Sequence, residues 1–289
     1  MKTTRALVAI LTVLSLTALA CSINLDLPEI EYRTTSLVTE AIQVPVPQGT
    51  TPVDVTLDFG AGQLNVAPGA AQNLIEGVAK YNVPEFKPTL TNTTSGVTLA
   101  TGELEINAIP RLANEIENTW DLKLGAAPMD LSINAGAYQG RFDLGGLSLT
   151  GLDVSDGAAD VEVTFAEPNL VEMGTLRYST GASQVKLLGL GNANFSELIF
   201  RGGAGSYTLD FGETVLRDAH IDIEIGISSL RIIVPKDANV RVIVGGGLSS
   251  VNANADWAKI NDEYRIGGTG PSLVFDVTMG AGSLELRTP

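Results

Sequence analysis

Three carboxylates lie close together at one predicted turn of the chain. Asp153, Asp156 and Asp160 surround a Gly157-Ala158-Ala159 segment. Carboxylate oxygens are ligands that Ca²⁺ prefers in proteins, so these residues are the candidate calcium ligands, although their spacing is not that of an EF-hand loop. Acidic turns are also expected without a metal in a chain with 33 acidic and 18 basic residues. We therefore keep calcium as one interpretation of this turn and predict no other metal or cofactor.

Residues for nucleophilic catalysis are scarce. His220 is the only histidine and Cys21 the only cysteine, and the chain lacks a Gly-x-Ser-x-Gly motif. His220 precedes the alternating apolar segment Ile221–Ile225, which favours a surface position at a strand end. A zinc site needs more nitrogen and sulfur ligands than these two residues supply. Carboxylates are plentiful, but none is singled out as half of the pair that a polysaccharide-active enzyme uses. We predict a non-enzymatic protein.

Composition and charge narrow the class of protein further. Hydrophobic residues are 44% and charged residues 18% of the chain, which is typical of a folded protein rather than a disordered one. The formal net charge is −15. Nucleic-acid binding needs clustered Lys and Arg against the phosphates, so a nucleic-acid partner is excluded.

The N-terminus has the features of an export signal. Lys2 and Arg5 precede the apolar stretch Ala6–Leu16, which is too short for a permanent membrane span. We therefore predict a cleavable signal over residues 1–20. Cys21 follows the small residues at its end, which resembles the lipobox of bacterial lipoproteins, where that cysteine receives the lipid. This predicts an extracytoplasmic protein held at a membrane through Cys21, with residues 21–45 as linker.

The lipobox match has departures. Ala18 and Leu19 stand where the lipobox usually has leucine and a smaller residue. The alternative is an ordinary cleavage site after Ala20, with Cys21 there by chance and the protein secreted.

A glycine-centred repeat organises the rest of the chain. Each unit reads apolar-x-apolar-x-x-Gly-Ala-x-polar-apolar-x-apolar, and 39 of the 40 positions compared around the glycines are apolar, with Gly140 the exception. The repeat glycines are Gly60, Gly136, Gly157, Gly181, Gly203, Gly226, Gly247 and Gly280. From Gly136 to Gly247 they are 21, 24, 22, 23 and 21 residues apart.

The repeat predicts an all-β fold, a single-chain β-solenoid of coils of about 22 residues. Alternation places one side of each strand in a core, and the glycine permits a tight corner between two short strands of each coil. One coil cannot bury its own core, but stacked coils can. We assign residues 126–289 to the solenoid and residues 46–125 to an N-terminal β region that caps it. A β-sandwich with strands of similar length is the competing architecture.

Three stretches of the repeat resemble a known family. Leu57–Val66, Met129–Leu147 and Leu149–Val163 are similar to the bacterial toast-rack family, which is in turn similar to adhesin-head repeats. The resemblance implies a cell-envelope β-solenoid, often lipid-anchored or membrane-tethered, and supplies no catalytic residues.

Together these features predict an exported, lipid-anchored surface scaffold or adhesin-like binding module. Its partners would be the membrane, through Cys21, and an envelope protein or glycan that the sequence does not identify. One alternative is an accessory protein of a cell-envelope stress response that binds a membrane sensor. The other is a polysaccharide-active enzyme.

Overall fold

A computed structural model describes residues 34–49, 51–102, 116–247, 250–261 and 263–289. The predicted export signal, residues 1–20, and the predicted lipid attachment site, Cys21, lie outside these residues. Every described residue belongs to one compact unit, Thr34–Leu104 with Glu115–Pro289.

The described residues form sixteen β-strands and two short 3-10 turns, the latter at Pro84–Phe86 and Leu190–Ala193. The strands are β1 Val38–Pro45, β2 Val53–Pro68, β3 Asn73–Tyr81, β4 Pro88–Asn92, β5 Gly96–Thr101, β6 Asn118–Leu124, β7 Met129–Asp143, β8 Leu149–Thr164, β9 Met173–Leu188, β10 Phe195–Asp210, β11 Ala219–Ile233, β12 Asn239–Gly246, β13 Ser250–Ala253, β14 Ala258–Ile260, β15 Glu263–Gly267 and β16 Ser272–Arg287.

Seven long strands form the body of the solenoid. They pair in parallel in the order β2-β7-β8-β9-β10-β11-β16. Equivalent repeat positions are aligned between neighbours, so that Leu152 pairs with Leu176 and Leu176 with Leu198. This in-register parallel stack confirms the β-solenoid and excludes the sandwich.

Each of the seven long-strand coils contains one continuous strand rather than the two short strands that we predicted, whereas the Gly247 coil is divided into β12 and β13. Strand β8 runs unbroken through Gly157, but the residues that face the core change parity there. Before the glycine Leu152 and Val154 are buried, and after it Val161 and Val163 are buried. The glycine therefore divides each long strand into a first arm and a second arm, which together enclose one core.

The repeat glycines form a single column across the sheet. A Cβ placed on Gly136 would lie 2.5 Å from the carbonyl oxygen of Gly60, and one on Gly157 would lie 2.9 Å from that of Gly136. A Cβ on each later repeat glycine would likewise lie within 3.1 Å of the carbonyl oxygen of the neighbouring repeat glycine in the stack. Close approach of neighbouring backbones therefore accounts for these glycines, because none of the eight has a positive φ.

Short strands cover the N-terminal end of the stack. Beyond β2 the next layer is divided, with β5 on the first arm and β6 on the second. Strand β4 then pairs with β5, β3 with β6, and β1 with β3, all antiparallel. Residues 38–45, which we assigned to the end of the linker, are strand β1, because Ile42 and Val44 bury their side chains in this cap.

The C-terminal end departs from the order of the repeats in the sequence. Strand β16 lies between β11 and β12 and is parallel to both. The Gly280 coil therefore precedes the Gly247 coil in the stack, whereas the sequence predicts the reverse. Strands β14 and β15, which lie between β13 and β16 in the sequence, pair with each other, and β15 covers the first arm of β12.

Candidate functional site

The outer surfaces of the two arms differ in charge. On the first arm of the described strands, eight carboxylates face outward with three arginines and His220: Asp54, Asp58, Asp130, Asp153, Glu197, Asp222, Glu224 and Asp276, with Arg177, Arg201 and Arg241. On the second arm, six carboxylates face outward with five basic groups: Asp121, Asp143, Asp160, Glu162, Asp210 and Glu285, with Lys123, Arg141, Lys186, Arg231 and Arg287. The first arm is therefore an acidic face, and the second arm is a nearly balanced polar face.

An open groove of about 420 Å³ lies on this balanced face. Its floor is β2, where Asn65 and Ala67 have short side chains, and its walls come from the flanking strands β6 and β7. The groove is lined by Asn65, Val66, Ala67, Asp121, Leu122, Lys123, Arg141, Phe142, Asp143, Glu162 and Thr164. The shorter side chains of Ala67 and Asn65 lie opposite the longer ones of Lys123 on β6 and Arg141 on β7, which leaves the groove between them.

Hydrogen bonds hold several groove side chains in place. Asn65 Nδ2 donates to Asp121 Oδ1 at 2.8 Å. Arg141 Nη1 donates to the carbonyl oxygens of Gly140 at 2.7 Å and Asp160 at 3.0 Å. Both side chains of the Arg141–Asp160 ion pair are about half exposed, so the pair adds little stability. Its effect is to fix the guanidinium at the groove wall.

A column of alternating charge runs along the outer surface of the second arm. Arg141, Glu162 and Lys186 are vertical neighbours on β7, β8 and β9. Lys186 Nζ lies 3.5 Å from Glu162 Oε2, whereas Arg141 pairs with Asp160 instead. Glu162 therefore pairs with Lys186 and also lines the groove.

Residues 33–174 match the family model described as the N-terminal domain of toast_rack, DUF2154. This match covers just under half of the chain. Residues 33–174 are therefore similar to a toast-rack N-terminal domain. Strands β2, β6, β7 and β8 all fall within the matched residues, so the groove belongs wholly to the toast-rack domain.

A solved structure shares the fold of this chain. A protein from Clostridium sporogenes called a putative cell adhesion protein has 18% sequence identity and a TM-score of 0.52, covering 88% of this chain and 100% of its own. A putative adhesin from Parabacteroides merdae has 13% identity and a TM-score of 0.36, covering 89% and 98%. Among curated proteins, none matches the chain significantly in sequence.

The structure separates the three candidate calcium ligands of the toast-rack domain. Asp153 and Asp160 face outward and pair with Arg177 and Arg141 at 3.1 and 3.3 Å. Asp156 is 9% exposed and faces the core. The three carboxylates therefore do not converge, and the described residues contain no cluster of three or more His, Cys, Asp or Glu placed to hold a metal.

Asp156 is instead the centre of a buried hydroxyl network. Its Oδ2 accepts a hydrogen bond from the Tyr178 hydroxyl at 2.7 Å and a long one from Tyr138 at 3.5 Å, and its Oδ1 accepts from Thr180 and from Ser183. Burial, and after it the Asp156 charge, raises the pKa of the Tyr138 hydroxyl, and burial also raises that of Tyr178. Buried polar groups that satisfy one another in this way fix the relative position of three coils.

The remaining chemical candidates lie on the surface or in the caps. His220 Nε2 is 3.6 Å from Asp276 Oδ2 on the exposed first-arm face, as expected for a surface residue. Trp257 and Tyr264, which could have stacked on a sugar, are 8% and 9% exposed and close the C-terminal end of the core. Within the described part of the chain, no helix is long and apolar enough to cross a membrane.

The groove itself was not predicted from the sequence. Asn65, Arg141 and Glu162 follow the repeat glycines at the same spacing, but Asp121 and Lys123 of the groove wall do not belong to the repeat. Strand β6 lacks the glycine motif, so the repeat gives no sign that it pairs with β2.

Proposed function

We propose that this protein is a non-enzymatic, extracytoplasmic binding module of the adhesin type that uses the groove in its toast-rack domain. The groove supports this proposal most directly, because it is a polar surface with side chains already held by hydrogen bonds. Preorganised groups lose less conformational freedom on binding. The similarity in fold to the Clostridium sporogenes cell adhesion protein agrees with this class of function.

The charge distribution favours an uncharged or zwitterionic glycan as the ligand. The acidic first-arm face repels anionic polymers, whereas the second-arm face carries both signs of charge in nearly equal number. Hydroxyl groups can accept from Lys123 and Arg141 and donate to Asp121, Asp143 and Glu162. A glycan chain in the groove would satisfy both kinds of partner without burying an unpaired charge.

The second part of the proposal is attachment to a membrane by a lipid on Cys21. In that case the Cys21→Ala protein leaves the membrane fraction, whereas the unchanged chain stays with it. A Cys21→Ala protein that remains bound to membranes would refute the lipid anchor without affecting the proposed ligand.

Retention of residues 22–289 on immobilised envelope polysaccharides tests the binding function. We expect retention on at least one neutral glycan, a loss of retention in Lys123→Ala and Arg141→Ala, and no loss in Arg177→Ala. Arg177 is a matched control because it is a half-exposed arginine on the opposite arm, paired with Asp153. Retention lost equally in all three variants, or absent throughout, argues against the groove. Repeating the assay with and without Ca²⁺ tests the remaining calcium hypothesis.

A further inference from the structure

Strand β16 occupies an interior place in the sheet, between two strands that both precede it in the sequence. Strand β16 pairs with β11 along its whole length, from Ala219 with Leu273 to Ile233 with Arg287. On its other side it pairs with β12 and β13.

Strand β12 has the sequence of the coil that should follow β11. Gly247 comes 21 residues after Gly226, the same spacing as that between Gly136 and Gly157. In the structure β12 presents Val240 and Val242 beside Leu273 and Phe275 of β16. These residues have the alternation needed to pack directly on β11. The chain therefore contains two segments suited to one place beside β11.

A glycine-rich segment immediately precedes β16. Residues 267–271 read Gly-Gly-Thr-Gly-Pro. Gly267 ends β15 opposite Asn239. After it, Gly268 N donates to the carbonyl of Ala238 at 3.2 Å, Gly270 N donates to that of Asp237 at 2.7 Å, and the Pro271 carbonyl accepts from Asn239 N at 3.1 Å. Glycine permits many backbone conformations, so this segment can act as a hinge for the strand that follows it.

We propose that β16 is exchanged between two copies of this chain, giving a dimer in which each β16 fills the place between β11 and β12 of the partner. The contacts formed in the exchanged dimer are the same as those within one chain, so little interaction energy is lost. While β16 is away, β12 pairs with β11 and covers the exposed core. This proposal is independent of the glycan-binding function, but a dimer would carry two grooves.

Two single-cysteine chains test the exchange. Ser229 and Ser283 are exposed and aligned on β11 and β16, with their hydroxyl oxygens 3.4 Å apart. Residues 22–289 contain no cysteine, so Ser229→Cys and Ser283→Cys chains carry one thiol each. The two are mixed, partly unfolded in denaturant, refolded at high concentration and oxidised. We expect a disulfide-linked dimer that contains one chain of each kind.

The matched control pairs Ser229→Cys with Ser206→Cys. Ser206 is exposed and aligned with Ser229 on β10, but β10 and β11 remain in the same chain when β16 is exchanged. The exchange predicts severalfold more mixed dimer from the first pair than from the control. Equal yields from both pairs, or no mixed dimer from either, would overturn it.

A locked chain gives a second readout. Ser229→Cys and Ser283→Cys in one chain, oxidised as a monomer, hold β16 in its own sheet. We expect this chain to lose the dimer that the unmodified protein forms on refolding at high concentration, and to recover it after reduction. A dimer that persists in the oxidised chain would contradict exchange through β16.

Discussion

The carbonyl oxygen of Gly203 lies 2.7 Å from the position that a Cβ on Gly226 would occupy. Contacts of this kind repeat along the glycine column, so neighbouring coils approach each other at the corner more closely than any residue with a side chain permits. The backbone at these glycines is otherwise ordinary, because their φ angles are not positive. The column is therefore a steric requirement of the stack.

Gly226→Ala should lower the free energy of unfolding by about 1 to 3 kcal/mol, the usual cost of an overpacked site. Denaturant unfolding followed by circular dichroism measures the change. Gly174→Ala is the control, since its Cβ would meet only the Thr150 carbonyl oxygen at an ordinary 3.8 Å. A Gly226→Ala protein as stable as the control would show that the corner can relax without loss.

Asp156→Ala should destabilise the fold by about 3 kcal/mol, because it leaves the buried Tyr178 hydroxyl without its acceptor and removes the hydrogen bonds of Thr180 and Ser183 to the carboxylate. Asp153→Ala provides the comparison three residues away. Its carboxylate is 40% exposed in a surface pair with Arg177, so we expect a change of at most about 1 kcal/mol. Equal effects in the two variants would mean that the buried network contributes nothing beyond an exposed ion pair.

The same network predicts loss of stability at high pH. Burial raises the pKa of Tyr138 and Tyr178 in the folded protein, whereas an unfolded tyrosine titrates near pH 10. The contribution of these two tyrosines to the free energy of unfolding is therefore fully present below about pH 10. Above it the unfolded chain releases protons that the folded chain retains, and each tyrosine lowers the unfolding free energy by about 1.4 kcal/mol per pH unit.

Urea unfolding between pH 8 and pH 11 measures this effect. Tyr178→Phe removes one of the two groups and should make the decline with pH shallower, even though the variant is less stable at pH 8. An identical pH dependence in the variant and the unchanged chain would show that Tyr178 does not contribute.

The sequence predicted the repeated part of the fold well, because alternation and glycine spacing record the same physical requirement in every coil. The alternation also indicates that the Asp156 side chain faces the core. Asp156 is two residues after Val154 and four after Leu152, and both of these face the core. It was interpreted as a surface ligand because carboxylates usually avoid the core, and its hydroxyl partners lie on other coils.

The order of the last two coils could not be predicted in the same way. Both β12 and β16 fit the repeat, and the choice between them depends on long-range packing, including the cover that β15 gives to β12. The groove could not be predicted either, because one of its walls is strand β6, which lacks the glycine motif. In both cases the deciding contacts join segments far apart in sequence.

The two tryptophans report on the ends of the core. Trp120 is fully buried and Trp257 is 8% exposed, so we expect the emission of buried indoles, with little quenching by iodide. Addition of a bound glycan should leave the emission unchanged, because neither ring reaches the groove surface. Trp257→Ala should cost about 3 to 5 kcal/mol as a large-to-small core change. Strong quenching of Trp257, measured in a Trp120→Phe chain, or a shift in its emission with glycan, would assign that ring to binding instead of to the cap.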